Sequence, residues 1–215
     1  MIRPMISKMI TSIISPIKRY FITLDPVLNS FYELSAPITF SGDFEWSGEI
    51  LPRGPVFLNL VGGSNVRWNV QLNNTIACLI DGVTRTSTEV VVKDVINSVS
   101  ITRTGSALDI TINGVTDSFT GVPTTSIDID LLGLRNAGTG GSISYFNGII
   151  SNVIFTDISN STTQTYRLDE PTADTEESVE GGSFITYENI PTTNREQFTL
   201  VGNDWIGEEL VVNGN

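Results

Sequence analysis

The chain of 215 residues contains no histidine and a single cysteine, Cys78. Without histidine there is no imidazole to act as a general base, to complete a Ser-His-Asp relay or to bind zinc in the usual way. A lone cysteine cannot form a disulfide within the chain, which suits assembly in a reducing cytoplasm. Cys78 stands in the apolar run Ile76–Ile80, so we expect a buried hydrophobic side chain rather than a reactive thiol.

Basic side chains are also scarce, because 12 Lys and Arg stand against 24 Asp and Glu, a net charge of −12. Their distribution is uneven. Residues 1–22 hold Arg3, Lys8, Lys18 and Arg19 and no acidic residue, which leaves 8 basic and 24 acidic residues in the rest of the chain. An acidic body of this kind repels phosphate backbones, so we expect no nucleic-acid partner.

Short segments of alternating apolar and polar residues fill the chain after residue 22. Val66-x-Trp68-x-Val70 is one of them, and its period of two directs Trp68 to the core. A second lies between Val99 and Gly114, where two alternating runs end at Asn113-Gly114, residues that tolerate a positive φ in a tight turn. About twelve to fourteen such segments, separated by turn residues, predict an all-β, two-sheet antiparallel sandwich.

Three stretches carry a resemblance to a known family. The pattern of residues 99–114, Val-x-Ile-x-Arg-x-Gly-x-x-Leu-x-Ile-x-Ile-Asn-Gly, resembles the central hairpin of laminin-G-like, concanavalin A-like jelly-roll domains. Residues 31–44 are similar to the entry of such domains, and residues 146–155 look like their closing strand. The resemblance implies a jelly-roll sandwich over residues 23–215. Its acidic C-terminal extension, about 160–215, is similar to those that follow such domains in structural proteins of tailed bacteriophages.

Residues 1–22 differ from the rest of the chain. Isoleucine and methionine recur at helical spacing from Ile2 to Ile17 with polar residues between them, which predicts a short N-terminal amphipathic helix that ends near Pro16. A signal peptide needs an uninterrupted apolar core, and a membrane span needs about 20 apolar residues; Lys8 is among the residues that break both patterns. Docking to another protein, self-association, packing on the body and a membrane surface remain as roles. We expect an assembly interface formed by Ile6, Ile10, Ile13 and Ile17.

The resemblance implies a non-enzymatic bacteriophage virion structural protein, located in the virion and assembled in the host cytoplasm. Residues 1–22 would anchor it to other virion proteins of the tail, fibre or head, in many copies or as a homo-oligomer. The sandwich would then be displayed for adhesion to cell-surface glycans or as a decoration. A stand-alone carbohydrate-binding module or adhesin is the alternative, and a glycoside hydrolase of the same fold is a third possibility.

A glycan site needs an exposed ring to stack on a sugar, with amide or carboxylate groups for the sugar hydroxyls. The candidates are Trp46, Tyr145 and Asn136. Asn136 begins the glycine-rich loop 136–141 and Tyr145 follows it, a position that suits the rim of a binding site. The loop is followed by neither a helix nor a lysine, so it does not have the pattern of a phosphate-binding loop.

Carboxylates supply the remaining candidates. Laminin-G-like domains often bind calcium through hard oxygen ligands, so the resemblance implies a possible calcium site, for which Asp128, Asp130 and Asp157 are candidates. We expect no other cofactor. Glycoside hydrolases of this fold carry a strand of the type Glu-x-Asp-x-x-Glu, whereas Asp128-Ile-Asp130 has no flanking glutamates. We therefore expect no enzymatic activity.

Overall fold

The computed structural model describes residues 18–53, 58–63, 65–135, 144–201 and 204–207. The chain divides into two compact units, of which the larger is Tyr20–Glu196. Among the described residues, a single 3-10 turn at Thr192–Asn194 is the one helical element, and the part described contains no helix suited to spanning a membrane.

The strands are short, and most of them alternate between buried and partly exposed residues as the sequence predicts. In chain order they are β1 (Lys18–Leu24), β2 (Phe31–Phe40), β3 (Phe44–Pro52), β4 (Leu58–Gly62), β5 (Val66–Val70), β6 (Thr75–Ile80), β7 (Val83–Val90), β8 (Asn97–Thr104), β9 (Ala107–Ile112), β10 (Val115–Phe119), β11 (Ile127–Leu132), β12 (Leu134–Arg135), β13 (Ser144–Tyr145), β14 (Gly148–Asp157), β15 (Thr162–Tyr166), β16 (Thr175–Glu177), β17 (Phe184–Glu188), β18 (Arg195–Val201) and β19 (Asp204–Gly207).

Two antiparallel sheets form the larger unit. In the first sheet the order is β10-β9-β8-β3-β14-β1, and β15 pairs with the second half of β14. In the second sheet the order is β16-β17-β2-β11-β4-β5-β6-β7, while β12 and β13 pair separately with each other. The all-β, two-sheet antiparallel sandwich predicted from the alternation is therefore confirmed.

The C-terminal extension contributes strands to both sheets. Its first strand, β15, pairs with β14, whereas β16 and β17 extend the second sheet beyond β2, with Ile185 opposite Leu34. Arg195 anchors this region, because its side chain is buried and donates hydrogen bonds to surrounding carbonyl groups. Residues of the extension up to Glu196 thus belong to the larger unit rather than forming a tail.

The core between the sheets is rich in aromatic rings. Trp46 and Trp68 lie with ring centroids 5.5 Å apart, and Phe44 stacks on Trp68 at 6.0 Å. Cys78 is buried on β6 as a free thiol, as the apolar run around it predicts. Burial raises the pKa of this thiol well above its ordinary value, so it stays protonated and unreactive.

A buried arginine ties two loops to the core, the turn between β2 and β3 and the loop between β10 and β11. Arg103 lies on β8, on the same face as Val99 and Ile101, and is almost fully buried. Its guanidinium donates hydrogen bonds to the carbonyl oxygens of Gly42, Pro123 and Thr125, and it lies 4.9 Å from the centre of the Phe44 ring. The sequence pattern places residue 103 on the core face. The positively charged guanidinium forms its hydrogen bonds there with carbonyl groups rather than with acidic side chains.

One edge of the sandwich is closed by a side chain instead of a strand. Asp117 on β10, the edge of the first sheet, accepts hydrogen bonds from the backbone N–H of Thr88 at 2.7 Å and of Glu89 at 3.2 Å on β7. The Thr88 hydroxyl donates a third, also at 2.7 Å. The edge strands of the two sheets are therefore joined by one carboxylate.

The boundary predicted at residue 22 requires a correction. The predicted helix between Ile2 and Ile17 lies outside the described residues. Lys18–Leu24, however, is strand β1, and Phe21 and Ile22 are fully buried in it. The last residues assigned to the anchor are therefore part of the sandwich, because their apolar side chains fill the core.

The larger unit ends at Glu196, and the described residues 197–201 and 204–207 fall in the other compact unit, whereas the prediction assigned residues 23–215 to one sandwich. In it, β18 and β19 form an antiparallel hairpin that runs from Phe198 opposite Gly207 to Val201 opposite Asp204.

Candidate functional site

Trp46 cannot serve as a sugar-stacking ring. Its side chain is fully buried on β3, where it alternates with Phe44 and Ile50 on the core face. Gly48 lies against the same ring, and a Cβ atom at that position would be 3.3 Å from Trp46 Cζ2. The prediction for Trp46 is wrong because its strand directs every second residue inward, whereas the core position predicted for Trp68 is confirmed.

Tyr145 is placed differently. Its ring is partly exposed on β13 and lies 6.4 Å from the ring of Phe31, with the two planes inclined by 44°. Phe31 begins β2 and is partly exposed, because the next residue, Tyr32, points into the core. The structure therefore provides an accessible pair of aromatic rings, of which the sequence indicated one. Asn136 and the assembly residues Ile6, Ile10, Ile13 and Ile17 lie outside the described residues.

Acidic residues occupy the same side of the second sheet. Glu33 follows Phe31 by two positions on β2 and is exposed, so both side chains lie on the outer face. Asp128 and Asp130 alternate with the buried Ile127 and Ile129 on the neighbouring strand β11 and therefore share that outer face. We call the surface formed by Phe31, Glu33, Asp128, Asp130 and Tyr145 the Phe31 face.

The two aspartates of the Phe31 face have different surroundings. Asp128 is held by Thr39, whose hydroxyl donates a hydrogen bond to Oδ1 at 2.6 Å. Asp130 lies where the register between β11 and β2 shifts, and its Oδ1 is buried with no hydrogen-bond partner among the described residues. Burial raises the pKa of Asp130, and the negative charges of Glu33 and Asp128 raise it further. Asp130 thus holds a proton to higher pH than an ordinary aspartate.

The structure does not bring the three predicted calcium ligands together. Asp128 and Asp130 lie on β11 of the second sheet, whereas Asp157 ends β14 in the first. The Asp157 carboxylate is occupied by Asn160, which donates from its backbone N–H at 3.0 Å and from Nδ2 at 2.8 Å. In the part of the chain described, no group of three or more acidic or sulfur ligands is arranged to hold a metal ion.

The Phe31 face combines the groups that recognise a sugar. An aromatic ring packs against the C–H groups of a pyranose, and carboxylates accept hydrogen bonds from its hydroxyls. Residues two apart on a strand are separated by roughly 7 Å, so Glu33 reaches the edge of a sugar that is stacked on Phe31. Sequence reasoning missed Phe31 and Glu33. The alternation of β2 indicated that they face outward, but nothing local indicated that Tyr145 would lie beside them.

Comparisons with known proteins bear on the fold. No family model and no curated protein matches the sequence. A Bacteroides ovatus protein, provisionally described as a carbohydrate-binding protein, has a similar structure with a TM-score of 0.67 at 13% identity, over 89% of this chain and 62% of that one. The chain therefore spans less than two thirds of the length of that protein.

Two further solved structures are similar. The heptameric SAP-like pentraxin from Limulus polyphemus has a TM-score of 0.51 at 11% identity, over 65% of this chain and 76% of that one. Mouse laminin α1 domains LG4-5 give a TM-score of 0.48 at 15% identity, over 67% and 44%. The likenesses to the Bacteroides ovatus protein and the pentraxin show that this chain has the two-sheet antiparallel β-sandwich fold of those proteins.

Proposed function

We propose that this chain is a non-enzymatic carbohydrate-binding protein whose sandwich binds a cell-surface glycan at the Phe31 face. The observation that carries the proposal is the pair of partly exposed rings, Phe31 and Tyr145, 6.4 Å apart and next to the exposed carboxylate of Glu33. Asn136, at the start of the glycine-rich loop before Tyr145, belongs to the same proposal as a further hydroxyl-binding group.

The fold supports this proposal. The Bacteroides ovatus protein that shares it is provisionally described as carbohydrate binding, although at 13% identity the likeness extends to the fold alone. Sandwiches of this kind provide a rigid sheet face on which loops and strand ends present side chains, and rigid placement lowers the entropic cost of binding. A sugar bound at the Phe31 face would meet rings and carboxylates that are held by the neighbouring strands β2 and β11 and by the short strand β13.

The proposal is tested with an array of bacterial surface polysaccharides and oligosaccharides. Phe31→Ala should weaken binding about fivefold, because the loss of aromatic stacking is worth about 1 kcal/mol. Phe184→Ala is the matched control, since Phe184 is 44% exposed on β17 of the same sheet. A glycan whose binding is unaffected by Phe31→Ala, or equally affected by both changes, would contradict binding at the Phe31 face.

We also propose that the chain belongs to a bacteriophage virion and is anchored there through residues 1–22, in many copies. The support is the sequence resemblance to tailed-phage structural proteins and the stripe of Ile6, Ile10, Ile13 and Ile17. Mass spectrometry of purified particles should detect the chain. Ile10→Asp should prevent its incorporation, because a charge in a buried apolar contact costs several kcal/mol, whereas Ser12→Glu on the polar side should not. Equal incorporation of both variants would overturn the anchor.

Glycoside hydrolysis is a second candidate, and one observation favours it. Asp130 Oδ1 is buried without a hydrogen-bond partner among the described residues, and burial raises the pKa of Asp130, which is the direction expected of a general acid in a pair of carboxyl groups. Incubation with the polysaccharides that the protein binds, followed by reducing-end analysis, separates the two functions. Cleavage that is lost in Asp130→Asn while binding remains would establish the hydrolase.

A further inference from the structure

A shallow, open pocket lies in the larger unit, formed by the turn before β2 and the segments around β16 and β17. Its volume is about 490 Å³, which falls within the range of about 300–1,000 Å³ typical of small-ligand sites. We call it the Asp174 pocket, lined by Leu28, Asp174, Tyr187, Asn189, Ile190 and Pro191. None of these residues belongs to the Phe31 face.

A buried arginine stands behind the pocket. Its two Nη atoms are hydrogen-bonded, and its Nε has no partner among the described residues but is buried, so a ligand cannot reach it. Arg195 Nη1 donates to the carbonyl oxygens of Glu170 at 3.3 Å and Ala173 at 2.6 Å. Arg195 Nη2 donates to Asp174 Oδ1 at 2.8 Å and to the carbonyl oxygen of Ile190 at 3.2 Å. Since the side chain is 1% exposed, it cannot turn toward a ligand. The guanidinium therefore fixes Asp174 and offers no donor to an anion.

The polar groups that face the pocket supply two hydrogen-bond acceptors and, from Asn189 Nδ2, one remaining N–H. The Asp174 side chain is 77% exposed, and only Oδ1 is engaged by Arg195, so Oδ2 faces solvent. Two hydrogen bonds fix Asn189: its Nδ2 donates to the backbone carbonyl oxygen of Asn29, and its backbone carbonyl oxygen accepts from the Ser30 hydroxyl. Its amide oxygen accepts no hydrogen bond from the described residues. The pocket thus presents two oxygen acceptors in fixed positions.

The remaining walls are apolar or rigid. Leu28 is 42% exposed beside Pro191 and supplies a small hydrophobic surface. Tyr187 is locked in place, since its hydroxyl donates to Glu176 Oε2 at 2.5 Å and its ring lies between Tyr32 at 5.2 Å and the Arg195 guanidinium at 5.2 Å. A ligand would enter a pocket that is already formed, so little ordering energy would be spent on binding.

We propose that the Asp174 pocket binds an uncharged, hydroxyl-rich ligand, namely one neutral hexose unit of a glycan, independently of the Phe31 face. Hydroxyl groups donate to Asp174 Oδ2 and to the Asn189 amide oxygen, and the C–H face of the sugar ring packs on Leu28 and Pro191. The two free acceptors call for a donating ligand, and a hexose presents several donors on one edge together with oxygens that can accept from the remaining N–H of Asn189.

Charge selects against ionic ligands. A carboxylated or sialylated sugar would bring a negative charge to a chain with a net charge of −12, and the one side-chain donor left to it in the pocket would be the second N–H of Asn189 Nδ2. An amino sugar gains little from its ammonium group, because Arg195 already neutralises the Asp174 carboxylate at 2.8 Å. The neutral sugar satisfies the same acceptors without desolvating a charge, so it is the ligand that the pocket favours.

The test is an NMR titration of the full chain with the methyl glycosides of glucose, galactose and mannose, and with glucuronate and glucosamine as charged counterparts. Binding is followed on the methyl resonances of Leu28 and Ile190. At least one neutral glycoside should shift them, glucuronate should not, and glucosamine should bind no more tightly. Asp174→Asn replaces the free acceptor with a donor and should weaken the neutral glycoside about tenfold or more. Glu45→Gln on β3, in the other sheet, is the matched control.

Leu28→Gln, a change at a partly exposed position, removes the apolar wall and keeps the test valid if Asp174→Asn should perturb the fold; it too should weaken binding. The proposal is overturned if no neutral glycoside shifts the two methyl groups, if glucuronate binds as tightly, or if neither variant weakens binding. Shifts confined to Tyr145 and Phe31 would overturn the pocket and leave the proposed function standing. Loss of binding only in Phe31→Ala would have the same meaning.

Discussion

Arg103 offers the sharpest test of what holds the sandwich together. Arg103→Met removes the guanidinium and keeps a side chain of similar length on the core face of β8. The carbonyl oxygens of Gly42, Pro123 and Thr125 would then lose their donor. A hydrogen bond to a charged group contributes about 1.5–3 kcal/mol, but loop carbonyls can regain water when the donor is gone. Counting about 1 kcal/mol for each of the three bonds predicts a loss of roughly 3 kcal/mol in the free energy of unfolding.

Arg85 supplies a matched control within the same region. It also donates to carbonyl oxygens, those of Thr120 and Gly121, but these bonds are exposed to solvent. Arg85→Met should therefore lower the free energy of unfolding by less than about 1 kcal/mol. Urea unfolding followed by intrinsic fluorescence measures both changes. Equal midpoints for the two variants would refute the view that burial of Arg103 makes its three bonds important.

Two further predictions concern the edges of the sandwich. The Thr88 hydroxyl holds the pKa of Asp117 below its ordinary value, so the stabilisation by Asp117 is complete above about pH 4 and is lost at lower pH as the carboxylate is protonated. Asp117→Asn should therefore show a smaller difference in urea midpoint between neutral pH and about pH 3 than the wild type; an unchanged difference would contradict this. A chain that begins at Thr23 should unfold at a lower urea concentration than one that begins at Lys18, because burial of the Phe21 and Ile22 side chains stabilises the fold by about 1.5–3 kcal/mol each. Equal midpoints would show that β1 is dispensable.

Local patterns were sufficient for the strands. The two alternating runs of residues 99–114 became β8 and β9, and the turn at Asn113-Gly114 has positive φ at both residues, 50° and 84°. Such features depend on neighbours in the chain, so the sequence carries them directly. The burial of Trp46 follows from a local pattern too, because Trp46 alternates with Phe44 and Ile50 on the core face of β3.

The candidate sites depend on contacts that no local pattern encodes. Tyr145 contacts Phe31 across more than a hundred residues of chain. Arg195, at the start of β18, pairs with Asp174, which lies just before β16. The raised pKa of Asp130 likewise results from burial together with Glu33 on another strand. An individual ring, acid or arginine can be identified in the sequence, but the chemistry comes from which of them the sheets bring together.

The carboxylate that joins the two sheet edges has a consequence for crowding. A free edge strand exposes N–H groups that can pair with a strand of a neighbouring molecule and so begin aggregation. On β7 the N–H groups of Thr88 and Glu89 already donate to the Asp117 carboxylate. These hydrogen bonds go to a side chain, so they do not continue the sheet. A neighbouring copy therefore cannot pair a strand with β7 at Thr88 and Glu89, and copies of this protein could be held at high local concentration without exchanging strands at that point.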